Sequence, residues 1–253
     1  MSLENRTLDA YPTLYQYTVC PFCCKVRAIL DYKGIPYKKV EVHPLNKKQI
    51  AFSKSYRKVP IFVDADGTQV NDSTAIMRYI EEKYPEYSLQ EKEVEEQKVE
   101  SWWVEWGDST LVRAIPPLIY DKFSSSIRSF NYITNAGEFS RLQRFFIKYS
   151  GAFIMTMVAR KSAKSQGIEE PGAHFESLLE TWGDALKDQA FLSGEKPNMA
   201  DMCLYGILSS IEELPAFRFV KNNHIVYRWY ENVREKIQQE HQEKVIEKEF
   251  VEV

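Results

Sequence analysis

Hydrophobic and polar positions follow two different patterns along this chain. In the first third, short apolar or alternating runs are separated by turn-forming residues, which predicts strands joined to short helices. After about residue 90, apolar residues recur at helical spacing over long stretches that are interrupted by proline and glycine. The pattern therefore predicts two domains, a mixed α/β domain over residues 11–86 and an all-helical domain over residues 91–253.

The elements of the first domain are predicted in the order strand, helix, strand, helix, strand, strand, helix. Strands are expected where apolar residues run together or alternate with polar ones, over residues 14–17, 37–42, 59–63 and 68–70. Helices are expected where apolar residues recur every three or four positions, over residues 21–34, weakly over 46–53, and over 73–85. This order is that of a thioredoxin-like domain.

Long amphipathic stretches make up the second domain. The predicted helices, which share helical spacing of apolar residues, cover residues 94–120, 139–164, 173–189, 199–211 and 225–239. Asn198 followed by Asp201 is a capping-box variant that predicts the start of an apolar helix. The tail from residue 238 to 253 is charged, which predicts a solvated helix or a frayed end. Trp102, Trp103 and Trp106 are expected in the core or at the domain interface, with Trp102 and Trp106 on one face of a helix.

Composition excludes some classes of protein. The 33 basic and 36 acidic residues give a net charge of -3, which is too balanced for a nucleic-acid-binding protein. The four histidines are scattered, and none stands at ligand spacing from the cysteines, so no metal site is predicted.

No hydrophobic leader is evident at the start of the sequence, and the longest uncharged run has only eleven residues, 149–159. This run is too short to span a bilayer as a helix, so a cytoplasmic protein is expected. Membrane association is left open, since an anchor upstream of Met1 would be invisible in this sequence.

Three of the four cysteines, Cys20, Cys23 and Cys24, lie within five residues. Such clustering indicates redox or catalytic chemistry in a reducing compartment rather than a disulfide framework. Cys20 stands just ahead of a predicted helix, where unpaired amides and the helix dipole favour thiolate and lower the thiol pKa from about 8.5 to roughly 3.5–7.5. Cys23 is the candidate resolving thiol. Cys24 and Cys203 are interpreted as buried structural residues.

Other residues are expected to flank this reactive thiol. Tyr17 is placed to present its hydroxyl to the sulfur and Phe22 to form an apolar wall, although core packing is an equal alternative for both. A cis bond between Val59 and Pro60 would turn the Val59 backbone toward the cysteine loop and create a peptide-binding edge.

The start of the last helix of the first domain is a candidate site for a free amino-acid terminus. There the helix amides and the Ser73 hydroxyl would bind the carboxylate of such a group, and the Asp72 carboxylate would bind its ammonium. Glutathione carries such an end. Simple helix capping is an equally compatible explanation of these two residues.

Four segments together resemble one known family. They are residues 15–23 with Cys20-Pro21-Phe22-Cys23, residues 56–61 with Val59-Pro60, residues 71–73, and residues 196–201. In this order, over most of the chain, they are similar to the membrane-associated prostaglandin E synthase 2 family.

The resemblance implies a glutathione-transferase-like fold, usually dimeric, in which Cys20 is catalytic and Tyr17 and Phe22 shape the site. Val59, Asp72 and Ser73 then correspond to glutathione contacts. It also implies glutathione-dependent haem binding, for which no contact residues are assigned in this sequence. The chain departs from the family in a more compact stretch over residues 66–116 and in lacking an N-terminal hydrophobic anchor.

Three functional hypotheses follow. The leading one is a glutathione-binding isomerase that uses Cys20 to convert prostaglandin H2 to prostaglandin E2. A wall for this fatty substrate would come from one helix face carrying Phe145, Tyr149, Phe153 and Met157. The second hypothesis is a thiol transferase that reduces mixed disulfides with glutathione through Cys20 and Cys23. The third is a non-catalytic binding or haem-carrying module.

Overall fold

A computed structural model describes residues 11–44, 46–120 and 167–251, together with residues 157, 159, 161, 163 and 164, and gives side chains as far as residue 239. The N-terminal region is a four-stranded sheet with helices. Its strands are β1 (Thr13–Gln16), β2 (Lys38–Glu41), β3 (Ile61–Val63) and β4 (Gln69–Asn71). Its helices are α1 (Pro21–Tyr32), the 3-10 turn Lys48–Ile50, and α2 (Ser73–Lys83).

The sheet has the strand order β2-β1-β3-β4. β1 runs parallel to β2 and antiparallel to β3, so Leu14 lies opposite Lys39 on one side and Phe62 on the other. β3 and β4 pair antiparallel across the turn that Gly67 closes with a φ of 87°. This is the thioredoxin-like arrangement that the sequence predicted. β2 and β3 are shorter than predicted, β1 and β4 are each displaced by one residue, and the weak helix is a single 3-10 turn.

The second region is helical throughout the part that the structure describes. Its helices are α3 (Val94–Trp106), α4 (Val112–Ile119), α5 (Pro171–Leu186), α6 (Met199–Ser209), α7 (Arg218–Asn222) and α8 (His224–Val251), with a π-helical segment at Gly107–Leu111 and a 3-10 turn at Pro215–Phe217. None of these helices is both long enough and apolar enough to cross a membrane. The domain limits of 11–86 and 91–253 stay predictions.

The second region corrects two sequence-based predictions. The continuous helix expected over residues 94–120 is divided by the π-helical segment, and Trp102, which was expected in the core or at the interface, is 55% exposed. Trp103 is buried, as predicted, and lies edge-on to Trp182 with ring centroids 4.9 Å apart. The tail is helical as far as Val251, which agrees with the helical one of its two predicted alternatives. The predicted helix at 139–164 falls mostly outside the described residues.

α1 and α6 pack directly on each other. A Cβ atom at Gly206 would stand 2.5 Å from the Cα of Lys25, so only glycine allows this approach. Lys25 is fully buried, and its Nζ donates to Asp108 Oδ1 at 2.5 Å and to Thr74 Oγ1 at 2.9 Å. Since these partners lie on the π-helical segment and on α2, the ion pair joins both regions to the helix that follows Cys20.

Candidate active site

Cys20 occupies the N-cap position of α1, with φ -79° and ψ 121°. Its amide donates to the Tyr17 carbonyl at 3.1 Å, which closes a tight turn between β1 and the helix. Pro21 fills the first helical position, where its missing N–H costs no hydrogen bond. No side chain caps this helix, so its first amides are available to the sulfur.

The pKa of the Cys20 thiol lies below its ordinary value, first because the Cys23 side chain donates a hydrogen bond to the sulfur. Burial opposes this shift, while the amides of Cys23 and Phe22 and the charge of Arg27 add to it. The sequence analysis attributed the shift to backbone amides and the helix dipole. The neighbouring thiol has a larger effect, because it is the partner that stabilises the ionised sulfur most.

The other two clustered thiols stay protonated. Cys23 has no exposed surface, and burial raises its pKa well above the ordinary value. Cys24 is 3% exposed, and burial raises its pKa although the Arg27 charge opposes the shift. One sulfur of the three is thus favoured as thiolate, and Cys23 serves as its hydrogen-bond donor.

Cys203 belongs to the core, as predicted. It has no exposed surface, its Sγ lies 3.9 Å from the Val104 carbonyl, and burial raises its pKa to about 11.

Tyr17 and Phe22 flank Cys20 in different ways. Burial raises the pKa of Tyr17, and the charges of Cys20, Cys23 and Glu41 raise it further, which places the phenol within electrostatic reach of the sulfur. In the region that the structure describes, no hydrogen bond joins the Tyr17 hydroxyl to Cys20. Phe22 is partly buried and packs on the main core.

The peptide bond between Val59 and Pro60 is cis, as predicted. Pro60 is buried and Val59 half-buried beside the small apolar cluster of Ile50, Ile61 and their neighbours. Tyr56, which was not among the predicted site residues, packs on the same cluster and lies within electrostatic range of the cysteines and of Asp72. Burial raises its pKa first, followed by the charges of Asp72, Cys23 and Cys20.

Asp72 acts as the N-cap of α2. Its Oδ1 accepts hydrogen bonds from the Thr74 amide at 3.0 Å and the Ala75 amide at 3.3 Å, so helix capping is the observed role of this oxygen. Asp72 has a φ of 76°, a conformation that costs a non-glycine residue energy and is enriched at functional sites. Ser73 is 2% exposed at the first helical position. Glutathione contact by these residues stays a prediction.

A network behind Cys20 was missed by the sequence analysis. Arg27 Nη2 donates to the Thr18 carbonyl at 2.6 Å and contacts Cys24 Sγ at 2.9 Å. On the other side of the turn, Glu41 Oε1 accepts from the Thr18 amide at 2.9 Å and Oε2 from its hydroxyl at 3.0 Å. Helical spacing offered one signal, because Arg27 follows Cys23 and Cys24 by one turn. Nothing in the sequence signalled Glu41, which reaches the turn only through strand pairing.

A thioredoxin-like sheet, a helical second region and a cysteine at the N-terminus of α1 define a protein of the glutathione-transferase fold. The family profile "Glutathione S-transferase, N-terminal domain" matches residues 14–91. Among solved structures, a glutathione S-transferase from Rhodospirillum rubrum has a TM-score of 0.61 at 22% identity, over 87% of this chain and 86% of that one. Maize glutathione S-transferase I, in complex with an atrazine glutathione conjugate, has a TM-score of 0.64 at 16% identity, over 92% of this chain and 97% of that one.

Curated relatives define the family more narrowly. Prostaglandin E synthase 2 of Mus musculus is 32% identical over 262 residues, which covers 86% of this chain and 68% of the relative. The Danio rerio protein of the same name is 32% identical over 272 residues, which covers 91% and 72% of the two chains. The chain belongs to the prostaglandin E synthase 2 family.

Proposed function

We propose that this protein is a glutathione-binding isomerase that converts prostaglandin H2 to prostaglandin E2 with Cys20 as the catalytic thiol. The observation that carries the proposal is the lowered pKa of Cys20 at an uncapped helix N-terminus, next to two thiols whose pKa values are raised. Kinship to prostaglandin E synthase 2 supplies the substrate.

Glutathione would bind along the edge formed by Val59, cis-Pro60 and the start of α2. Its γ-glutamyl end has a carboxylate that suits the N-terminal amides of α2 and an ammonium that suits the Asp72 carboxylate. Asp72 Oδ2 supports this placement, because both capping bonds of this residue use Oδ1. The glutathione thiol would then point toward Cys20.

The proposed reaction moves electrons within one substrate and needs no external oxidant. The Cys20 thiolate attacks the endoperoxide oxygen on the ring carbon that becomes the ketone, so an S–O bond forms while the O–O bond breaks. The other oxygen takes a proton and becomes the hydroxyl. The ring carbon that carries the attacked oxygen then loses its proton. The electrons of this C–H bond form the carbonyl, and the S–O bond breaks so that its electron pair returns to the sulfur as thiolate.

Some expectations remain outside this proposal. Of the four residues expected to form a wall for the fatty substrate, Phe145, Tyr149 and Phe153 lie outside the described residues, and Met157 is 59% exposed. A homodimer and a cytoplasmic location stay predictions.

Haem is not assigned to this site. The groups that shift the pKa of the Cys20 sulfur are a thiol, backbone amides and a guanidinium, and no histidine is among them. No described residue is assigned to haem, and no step of the proposed reaction involves it.

A thiol transferase is the second candidate, because the Cys23 thiol donates directly to the Cys20 sulfur and the two sulfurs are neighbours. In this reaction the Cys20 thiolate attacks the disulfide that joins glutathione to a substrate thiol. Cys20 then holds glutathione in a mixed disulfide, and the substrate leaves as its thiolate. A second glutathione then yields glutathione disulfide and restores Cys20. The buried, protonated Cys23 favours this one-cysteine route over a two-cysteine route.

The test is to incubate purified protein with glutathione and prostaglandin H2 and to identify the products by mass spectrometry. Cys20→Ser should abolish prostaglandin E2 formation above the uncatalysed rate, whereas Cys203→Ala, a matched removal of a core thiol, should retain it. Cys23→Ser should retain isomerisation and lower only two-cysteine disulfide reduction. Full activity of Cys20→Ser would refute the proposal and favour a non-catalytic module.

A further inference from the structure

Thr18 is held from both sides by charged residues. Its carbonyl accepts from Arg27 Nη2, and its amide and hydroxyl donate to the two oxygens of Glu41, at distances of 2.6, 2.9 and 3.0 Å. All three backbone and side-chain polar groups of one residue are therefore fixed by two opposite charges. We define Arg27, Glu41, Thr18 and the bridging Gln16 as the Thr18 clamp.

Gln16 closes the clamp into a ring. Its Oε1 accepts from Arg27 Nη1 at 2.6 Å, and its Nε2 donates to Glu41 Oε2 at 3.4 Å. Gln16 is 4% exposed and lies in β1, so the ring is anchored in the sheet. Glu41 is exposed, whereas Thr18 and Arg27 are half-buried, so the ring is partly open to water. A network in which each member has partners restricts motion more than separate hydrogen bonds do.

The clamp acts on the reactive sulfur through the chain between Tyr17 and Cys20. This turn has only two residues, Thr18 and Val19, between its ends and is closed by the hydrogen bond from the Cys20 amide to the Tyr17 carbonyl. Thr18 is the first residue inside this turn. The hydrogen bonds to its amide and its carbonyl therefore fix the direction of the chain between β1 and Cys20. Arg27 also projects from α1, the helix that Cys20 caps, which ties the turn to the helix amides.

We propose that Arg27 and Glu41 are positioning residues that hold the Thr18 turn so that the Cys20 sulfur faces the Cys23 thiol and the first amides of α1. Neither residue touches the reacting sulfur. This inference rests on the proposed use of Cys20 as the reactive thiol, but it does not depend on which substrate Cys20 attacks.

Several charged and titratable groups face the Cys20 environment. They come from α1, the turn, β2 and the segment before β3, and they are Cys23, Cys24, Arg27, Tyr17, Glu41 and Tyr56. The experiment must therefore distinguish the effect of the charges of Arg27 and Glu41 from their effect on the position of the Cys20 sulfur. Removal of Arg27 withdraws a positive charge and removal of Glu41 withdraws a negative one, so a purely electrostatic role predicts opposite shifts of the Cys20 titration.

The experiment measures the rate of Cys20 alkylation by iodoacetamide from pH 5 to 10 in the full chain, with the modified peptide identified by mass spectrometry. Arg27→Met should lower the rate at pH 7 several-fold and move the titration midpoint upward, because the sulfur loses both its positioning and a nearby positive charge. Arg27→Lys, which keeps the charge but loses the fork that reaches both Thr18 and Gln16, should recover less than half of this loss.

Glu41→Gln is the complementary variant. A positioning role predicts slower alkylation at pH 7 despite the lost negative charge, whereas a purely electrostatic role predicts a faster reaction. Lys39→Gln is the matched control, because it removes an exposed cation from the same strand and makes no contact with Thr18. Its rate should stay within about twofold of the unchanged protein.

Two results would overturn the inference: full recovery in Arg27→Lys, or faster alkylation in Glu41→Gln. If Arg27→Met fails to fold by circular dichroism, Arg27→Lys and Glu41→Gln decide the question without it. The assay contains neither glutathione nor prostaglandin. If the alkylation rates of the variants agree with this inference but the unchanged protein has no isomerase activity, the proposed function is rejected and the inference stands.

Discussion

The N-termini of α1 and α6 solve the same physical problem in opposite ways. Each helix begins with amides that have no partner inside the helix. At α6, Asn198 and Asp201 form a complete capping box, and Asp201 also accepts from Trp229 Nε1 at 2.7 Å and from the Leu192 amide at 3.2 Å. At α1, no side chain caps the helix, and a cysteine stands where the cap would be.

The difference separates stability from reactivity. Asp201 has no exposed surface, and its hydrogen bonds join α6 to α8 and to the loop before α6. The amides at α1 are left for a sulfur that gains reactivity from being ionised. A fully capped helix N-terminus stabilises the fold, whereas the amides of an uncapped one can stabilise a reactive anion.

The largest effect is expected at Asp201. Asp201→Leu leaves the Asn198 amide, the Leu192 amide and the Trp229 indole without their acceptor, which should lower the free energy of unfolding by about 3 kcal/mol or more. Asn198→Ala, which removes the cap and spares Asp201, should cost about 1 to 2 kcal/mol. Urea unfolding measures both. Equal losses in the two variants would show that the carboxylate has no role beyond the capping box.

The Asp201 carboxyl group should also make the free energy of unfolding depend on pH. Burial raises the pKa of Asp201 to about 6, from 3.8. Because the folded state then holds the proton more tightly than the unfolded state, this contribution is complete below about pH 4 and is lost as the pH rises through about 6, with a maximum of about 3 kcal/mol.

Urea midpoints at pH 4.5 and 7.5 test this sign in Asp201→Asn and in the unchanged protein. The variant should show a smaller fall in stability with rising pH. Glu100, whose pKa burial raises to about 7, contributes a fall of the same sign that both proteins share. An identical pH dependence in the two proteins would contradict the assignment to Asp201.

At α1 the Cys23 thiol should matter more than any single amide. Cys23→Ala removes the first-ranking hydrogen bond to the Cys20 sulfur, so the Cys20 pKa should rise and alkylation at pH 7 should slow about tenfold. Cys23→Ser keeps a donor and should slow it less. If the alanine variant reacts as fast as the serine variant, the backbone amides alone account for the lowered pKa.

The smallest expected effect is a rise, rather than a fall, in the free energy of unfolding, and it is expected for Cys20→Ser. Serine is a good N-cap residue, so Cys20→Ser should add a cap that α1 lacks and raise the free energy of unfolding by up to about 1 kcal/mol, while it abolishes the proposed activity. Thermal unfolding provides the measurement. A destabilised Cys20→Ser protein would mean that the sulfur has a packing role, and the contrast between the two N-termini would weaken.

Sequence reasoning reached the reactive turn but not its surroundings. Local signals sufficed for Cys20, for the proline that opens α1 and for the capping box at Asn198. They failed at Trp102, because Trp102 and Trp103 both fit a helix and only the packing of α5 against α3 determines which of the two is buried. They also missed the π-helical segment, since the same residues satisfy an ordinary helical pattern.

The sequence by itself determined the order of strands and helices, the position of Cys20 at a helix start and the two-region organisation, because these depend on residues close together in the chain. Only the tertiary structure decided that Cys23 and Cys24 have raised pKa values and which residues hold the turn before Cys20. Burial of Cys23 and Cys24, and the meeting of Arg27 and Glu41 at Thr18, depend on contacts between α1, β2 and α6. A pKa responds to neighbours in space, and no local pattern specifies those neighbours.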